Sequence, residues 1–178
     1  LADFYDLSPF TRLLDIGGAT GTYTMAFLKK NTEMTAVLFD LPDVVPWAKE
    51  RLETEGLLGR VELVAGDFYQ DELPKGCDLA LLSAIIHQNS PQQNLDLYRK
   101  THRALVEGGT LLIRDHVMDQ DRTFPPQGTL FAINMLVNTE GGDTYTFDEI
   151  RDTLEAAGFG EVKLVRKGER MDCLVEAK

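Results

Sequence analysis

Short apolar runs alternate with amphipathic stretches along this chain, the pattern of βαβ units feeding a parallel sheet. Strands are predicted at Arg12 to Ile16, Met34 to Phe39, Val61 to Ala65, Asp78 to Ser83 and Thr110 to Asp115. Their Leu, Val and Ile content suits strands covered on both faces. Helices are predicted between them, at Gly21 to Lys30, Val44 to Glu55 and Pro91 to Val106. Ser90-Pro91-Gln92-Gln93 supplies an N-cap serine, a proline at the first helical position and a capping-box glutamine. Thr146 and Glu149 form the same reciprocal pattern before a helix whose end is marked by Gly158. Gly108-Gly109 is expected to end the Pro91 helix. Val162 to Val165 and Asp172 to Glu176 predict a closing hairpin around Lys167-Gly168. The least regular stretch, Asp119 to Gly142, holds a short predicted helix at Leu130 to Val137. Its place beyond a strand's carboxyl end suits a substrate-facing element.

Composition narrows the function. The 178 residues are 43% hydrophobic and 26% charged, enough to bury one substantial core. Twenty-nine acidic residues against eighteen basic ones give a net charge of −11, which argues against nucleic-acid partners. The basic stretch from Lys163 to Arg170 is broken by Leu164, Val165, Gly168 and Glu169 and reads as strand ends and a turn. Cys77 and Cys173 have no CxxC spacing, so neither a disulfide framework nor a metal cluster is expected. No apolar run reaches the length of a membrane span and no signal peptide is visible, which makes the reducing cytoplasm the default compartment. The chain opens with Leu1, as a piece of a longer protein would.

The densest signal is Leu13-Leu14-Asp15-Ile16-Gly17-Gly18-Ala19-Thr20-Gly21, at the turn from first strand to first helix, where open α/β sheets bind ligands. Glycines there let backbone amides approach a ligand. The GxGxxG fingerprint is not met, because Ala19 and Thr22 stand where it needs glycine, so a nicotinamide dinucleotide is disfavoured. Asp40 ends the second strand, at the spacing from the glycine loop where an acid accepts two ribose hydroxyls. Each such charged hydrogen bond is worth about 1.5–3 kcal/mol. Asp67 ends the third strand and is followed by Phe68, so that a carboxylate and a flat ring arrive together, as an adenine requires. Alone, the loop also serves as a plain strand–helix turn, and each acid as a cap or solvated loop residue. Jointly, the three sites favour adenosine.

Asp15-Ile16-Gly17-Gly18-Ala19-Thr20-Gly21, Asp40-Leu41-Pro42 and Gly66-Asp67-Phe68 resemble the cofactor motifs of S-adenosylmethionine-dependent O-methyltransferases. Within these, the chain looks like the group that includes caffeate, flavonoid and acetylserotonin methyltransferases and bacterial antibiotic-tailoring enzymes. The resemblance implies the class I methyltransferase fold: an α/β, Rossmann-like, seven-stranded, mostly parallel sheet with helices on both faces and an antiparallel last strand. It also implies that residues 1–10 end a connector from a missing N-terminal domain that mediates homodimerisation, and that residues 11–178 form the catalytic domain. S-adenosylmethionine is the implied cofactor. Asp15, Gly17, Gly18 and Gly21 would shape its methionine end, Asp40 its ribose site and Asp67 its adenine site, with Leu41 and Phe68 as apolar surfaces.

The family's catalytic base aligns with His87 in Ile85-Ile86-His87-Gln88-Asn89. Full proton transfer from a phenol to an unperturbed histidine is uphill by roughly 4.8 kcal/mol. A carboxylate beside the ring reduces that gap and holds its tautomer. Asp115 aligns with the family's first glutamate at that place, one methylene shorter. The second falls at Thr144, which cannot act alike, although Asp143 is adjacent. His116 is a rival base, and His102 is expected on a solvated face. The sequence departs from the family at Asn89, where a tryptophan often lies against adenine, and at Ser83, where plant enzymes carry lysine. Met135 matches a methionine that packs on aromatic substrates, and Phe131, Phe124 and Tyr145 are further candidates for the same pocket. The implied reaction is methyl transfer to a hydroxyl of a small aromatic molecule. Rivals are another sulfonium-dependent chemistry on the same site, a cofactor-binding module without turnover, and a nicotinamide-dependent oxidoreductase.

Overall fold

The computed structural model describes all 178 residues. In chain order they form β1 (Arg12–Ile16), α1 (Thr22–Lys30), β2 (Thr35–Asp40), α2 (Val45–Thr54), β3 (Val61–Ala65) and β4 (Cys77–Ser83). Next come α3 (Pro91–Ala104), β5 (Leu105–Asp115), β6 (Val117–Met118), α4 (Pro126–Asn138), β7 (Tyr145–Thr146), α5 (Phe147–Ala157), β8 (Val162–Arg166) and β9 (Cys173–Ala177). Single 3-10 turns lie at Leu58–Arg60 and Ile86–Gln88. The large sheet has the order β3-β2-β1-β4-β5-β9-β8, with β9 running antiparallel to both of its neighbours. That is the class I methyltransferase architecture expected above. Two compact units divide the chain, residues 1–81 with 103–110, and residues 82–102 with 111–178.

In the first unit β1, β2 and β3 pair in parallel, Leu14 beside Val37 and Leu38 beside Leu63. Leu13, Leu14, Ile16, Val37 and Leu38 are wholly buried, as unbroken apolar strands covered on both faces must be. Met25 of α1 and Ala48 and Leu52 of α2 close one cluster over Leu38. The start of β1 is tied by Asp78, whose carboxylate accepts from the backbone N–H groups of Thr11 and Arg12 and from the Thr11 hydroxyl at 2.7–2.9 Å. The Arg60 guanidinium donates to the carbonyls of Leu28, Asn31 and Met34. Two of these acceptors, Leu28 and the capping Asn31, belong to the end of α1, which leaves its last carbonyls open.

In the second unit residues 111–115 of β5 pair with β9, and β9 with β8, to form the antiparallel edge, with Ile113 opposite Val175. The Ser90–Gln93 and Thr146–Glu149 capping boxes are both present, and Gly158 ends α5 at φ 112°. The helix expected at Leu130 to Val137 starts a turn earlier. Pro126 stands near its first position, where a missing N–H costs nothing. Gly128 brings α4 so near β6 that a Cβ there would lie 2.4 Å from Met118 Sδ. The two-residue strands β6 and β7 pair with each other, and are too short to leave a periodic signal. Gly108-Gly109 does not end α3. The helix stops at Ala104, whose carbonyl accepts from Gly76 N–H at 3.0 Å, and both glycines lie inside β5. His102 is exposed on α3 yet meets Phe159 edge-on at 5.0 Å. No helix is long and apolar enough to cross a membrane.

Candidate active site

The glycine loop is shaped by backbone that side chains resist. Gly17, Ala19 and Gly21 have φ of 68°, 48° and 76°, the left-handed region in which a Cβ is strained. A Cβ on Gly18 would lie 2.8 Å from Leu38 Cγ and 3.0 Å from the Asp15 carboxyl. Asp15 therefore supports the loop from beneath. It is 2% exposed and accepts from the Thr24 hydroxyl at 2.6 Å. Arg51 of α2 steadies the loop's far side by donating to the Thr20 and Thr22 hydroxyls at 2.8 and 2.9 Å.

Burial pushes the Asp15 carboxyl up to about 6, against the opposing Thr24 hydrogen bonds and with a smaller push from the Asp40 charge. The folded chain therefore keeps this proton at pH values where the unfolded chain has lost it. Stability falls as pH rises from about 4 to about 6, by about 3 kcal/mol in all, and stays lowered above that range. Asp15→Asn keeps the acceptor for Thr24 and removes the charge. Urea midpoints should show the variant gaining on the parent as pH rises from 4 to 7; a constant difference would contradict the buried charge.

Asp40 ends β2, half-buried, with Oδ2 accepting from Ala19 N–H and Oδ1 from Leu41 N–H, both at 2.7 Å. Its carboxylate thus closes the glycine loop onto the tip of β2. Asp67 lies two residues beyond β3. Its carboxylate accepts from Tyr69 N–H at 2.8 Å and from the Gln70 side chain at 3.1 Å, and its own N–H donates to Asp71. Phe68 is tilted against Tyr69 at 4.6 Å, and Leu41 is 48% exposed. The first unit therefore gathers the loop glycines, Asp40 and Leu41 at adjoining strand tips, with Asp67 in a turn of its own. A half-buried carboxylate beside left-handed glycine backbone suits a ribose diol, and the exposed Leu41 suits the face of a base.

In the second unit His87 sits on the Ile86–Gln88 turn. Its Nδ1 lies 2.9 and 3.0 Å from the two carboxylate oxygens of Asp115 at the end of β5. Asp115 is 1% exposed and also accepts from His116 N–H at 2.8 Å. A carboxylate can only accept, so it holds the proton on Nδ1 and leaves the Nε2 lone pair as the ring's basic site. Ser83, at the end of β4, accepts from Arg114 at 3.3 Å. Asp143 is tied to Arg122 at 2.8 Å and Thr144 is buried, its carbonyl also taken by Arg122. Asp115 is thus the one carboxylate on His87.

Phe131 of α4 meets His87 edge-on at 4.8 Å, and Met135 on the same helix is buried. The structure keeps Tyr145 and Phe124 apart from that contact. The Tyr145 hydroxyl donates to the Asn89 carbonyl, and its ring lines a cavity with Ile133 and Leu136; Phe124 is 38% exposed. Asn89 is wholly buried and donates to Asn94 at 3.0 Å, while Asn94 donates to the Ile86 carbonyl at 2.9 Å. These two asparagines pin the turn that carries His87. Sequence reasoning missed Asn94; its available signal was a second asparagine one turn inside the Ser90 cap.

Residues 1–160 match the O-methyltransferase domain family. The chain is 38% identical over 166 residues to the 3-hydroxy-5-methyl-1-naphthoate 3-O-methyltransferase of Streptomyces sahachiroi, covering 93% of this chain and 48% of that protein. It is 36% identical over 174 residues to the acetylserotonin O-methyltransferase of Gallus gallus, covering 98% and 49%. It thus spans about half the length of the curated relatives it matches. Among solved structures, PigF with SAH superposes with a TM-score of 0.92 at 28% identity, over 99% of this chain and 53% of that one. Human N-acetylserotonin methyltransferase in complex with SAM gives 0.89 at 27% identity, over 99% and 50%. A match over nine-tenths of the sequence, on the fold and loop geometry described, settles the assignment: this chain belongs to the O-methyltransferase family.

Proposed function

We propose that this chain is the cofactor-binding and catalytic domain of an S-adenosylmethionine-dependent enzyme that methylates a hydroxyl of a small aromatic molecule. The observation that carries the proposal is the buried His87–Asp115 pair, with both carboxylate oxygens on Nδ1. It leaves one basic nitrogen for a phenolic proton. When bound, the cofactor supplies an electrophilic methyl group on a cationic sulfur. Gly17, Gly18 and Gly21, supported by Asp15, shape the site for its methionine end. Asp40 holds the ribose hydroxyls and Asp67 the adenine amine, with Leu41 and Phe68 against the ring and Ser83 as a further cofactor-binding residue. His87 takes the hydroxyl proton at Nε2 as the oxygen attacks, a general-base effect of order 10²–10⁴. Asp115 orients the ring and stabilises the imidazolium, and Phe131 and Met135 pack on the aromatic acceptor.

Dimerisation through an N-terminal domain belongs to the same proposal, as does a cytoplasmic setting. The half-length match to the relatives supports the domain, and so does α4, which leaves Leu130, Ile133, Leu136 and Val137 between 57% and 77% exposed. The single carboxylate on His87 favours a second use of the same cofactor, a chemistry without methylation. Mass spectrometry of the protein with S-adenosylmethionine and a panel of phenols separates the two. S-adenosylhomocysteine formed in step with a methyl-sized mass gain is expected. S-adenosylhomocysteine without that gain points to other chemistry, and cofactor binding with no turnover points to a module.

A further inference from the structure

His116 carries the chain's one buried side-chain nitrogen or oxygen with no hydrogen-bond partner, its Nδ1. The residue is 6% exposed, and its ring lies tilted on Phe131 with centroids 5.0 Å apart. Phe131 also meets His87, so one aromatic side chain touches both imidazoles. Folded interiors leave few such orphan atoms, and those that persist need a reason.

The two imidazoles hold their protons on opposite nitrogens. On His87 the Asp115 carboxylate fixes the proton at Nδ1 and leaves a lone pair at Nε2. On His116 a proton at Nδ1 would be desolvated with nothing to accept it. The proton therefore sits on Nε2, which becomes a donor. Burial, more than the opposing Asp115 charge, holds the His116 pKa below its ordinary value, so the ring is neutral near pH 7. One histidine thus offers a lone pair and the other an N–H, around the same phenylalanine.

We infer that His116 determines specificity, its Nε2–H binding a carbonyl or carboxylate oxygen carried beside the hydroxyl that His87 deprotonates. The preferred acceptor is then an aromatic hydroxycarbonyl compound. This rests on His87 as the base. In such a compound the hydroxyl proton is held by its neighbouring carbonyl, and that is the proton the base must remove. A donor that competes for the carbonyl oxygen releases the hydroxyl. No bond to His116 forms or breaks.

The test uses 2′-hydroxyacetophenone, which has the internal hydrogen bond, and 3′-hydroxyacetophenone, which cannot form it. The wild-type protein should favour the 2′ isomer in kcat/KM. His116→Phe should lower the 2′-to-3′ ratio by about 10-fold or more, and His116→Gln, which keeps an N–H donor, should restore part of it. An unchanged ratio overturns the inference. Nitrogen-15 NMR of the wild-type histidines is independent of any variant's folding: His116 should be protonated at Nε2 and His87 at Nδ1, and a His116 protonated at Nδ1 also overturns it. If neither isomer is turned over, the proposed function fails first. Binding to the S-adenosylhomocysteine-loaded protein then decides, because loss of the 2′ preference in His116→Phe supports the contact and equal affinities refute it.

Discussion

Replacing His87 with alanine is expected to lower turnover at least about 100-fold while S-adenosylmethionine affinity stays within about twofold. The geometry sets both halves of that expectation. Nδ1 is engaged by both oxygens of a carboxylate that is 1% exposed, so the ring has one orientation and one free basic nitrogen. Alanine removes the acceptor for the hydroxyl proton, and water in its place is a far weaker base. The proposed cofactor contacts, in the glycine loop and at Asp40, Leu41, Asp67, Phe68 and Ser83, make no hydrogen bond to His87. Single-turnover kinetics with calorimetric titration of the cofactor would measure the two effects separately. Asp115→Asn is a companion variant. It keeps a side chain of the same size but lets an amide face Nδ1, which removes the fixed tautomer, so its loss should approach that of His87→Ala. A variant at full rate without His87 would transfer the role to His116 or remove the base altogether.

Asp40→Ala is expected to weaken S-adenosylmethionine by about 30- to 1,000-fold, the equivalent of losing about 2–4 kcal/mol of charged hydrogen bonding to a diol. The same carboxylate holds Ala19 N–H at 2.7 Å, so part of any loss could come from a loosened loop. Asp40→Asn separates the contributions. Its carbonyl can still accept from Ala19, whereas it offers the ribose no charge, so an intermediate affinity is expected. Isothermal titration of both variants, with thermal melts as a control on folding, measures this. Unchanged affinity in Asp40→Ala would remove Asp40 from the ribose site.

Much of the local chemistry was legible where partners lie within a turn of each other, although the Gly108-Gly109 signal misplaced the end of α3, which stops at Ala104. Both capping boxes, the Gly158 stop and the closing hairpin appear as expected, because a serine or threonine and its partner three residues on meet through helix geometry alone. The buried strands β1, β2 and β4 were equally plain, since unbroken Leu and Val runs have no exposed face to explain. By contrast β3, expected to be covered on both faces, is the edge strand, with Glu62 and Ala65 exposed and Val61, Leu63 and Val64 half-buried. The glycine loop and Asp40 were legible as candidates, because a strand's last residue and the turn after it occupy known places on an open sheet.

Other contacts had no local signature. Asp115 reaches His87 across 28 positions, and Asp78 reaches Thr11 across 67. Arg51 reaches Thr20 across 31. Spacing alone does not say which carboxylate meets which partner: Asp115 was placed beside His87 by the resemblance, and only the fold shows that Asp143 is taken by Arg122 and lost to the base. The order of residues settled the βαβ pattern, the loop and the list of acids and histidines, because periodicity, caps and backbone freedom act over a few neighbours, while the seven-stranded architecture was expected from the resemblance of the motifs. Pairing, burial and proton position came from the folded arrangement. A carboxylate's strength and a histidine's tautomer depend on which distant groups share its dry surroundings, and only the packed chain brings those groups together.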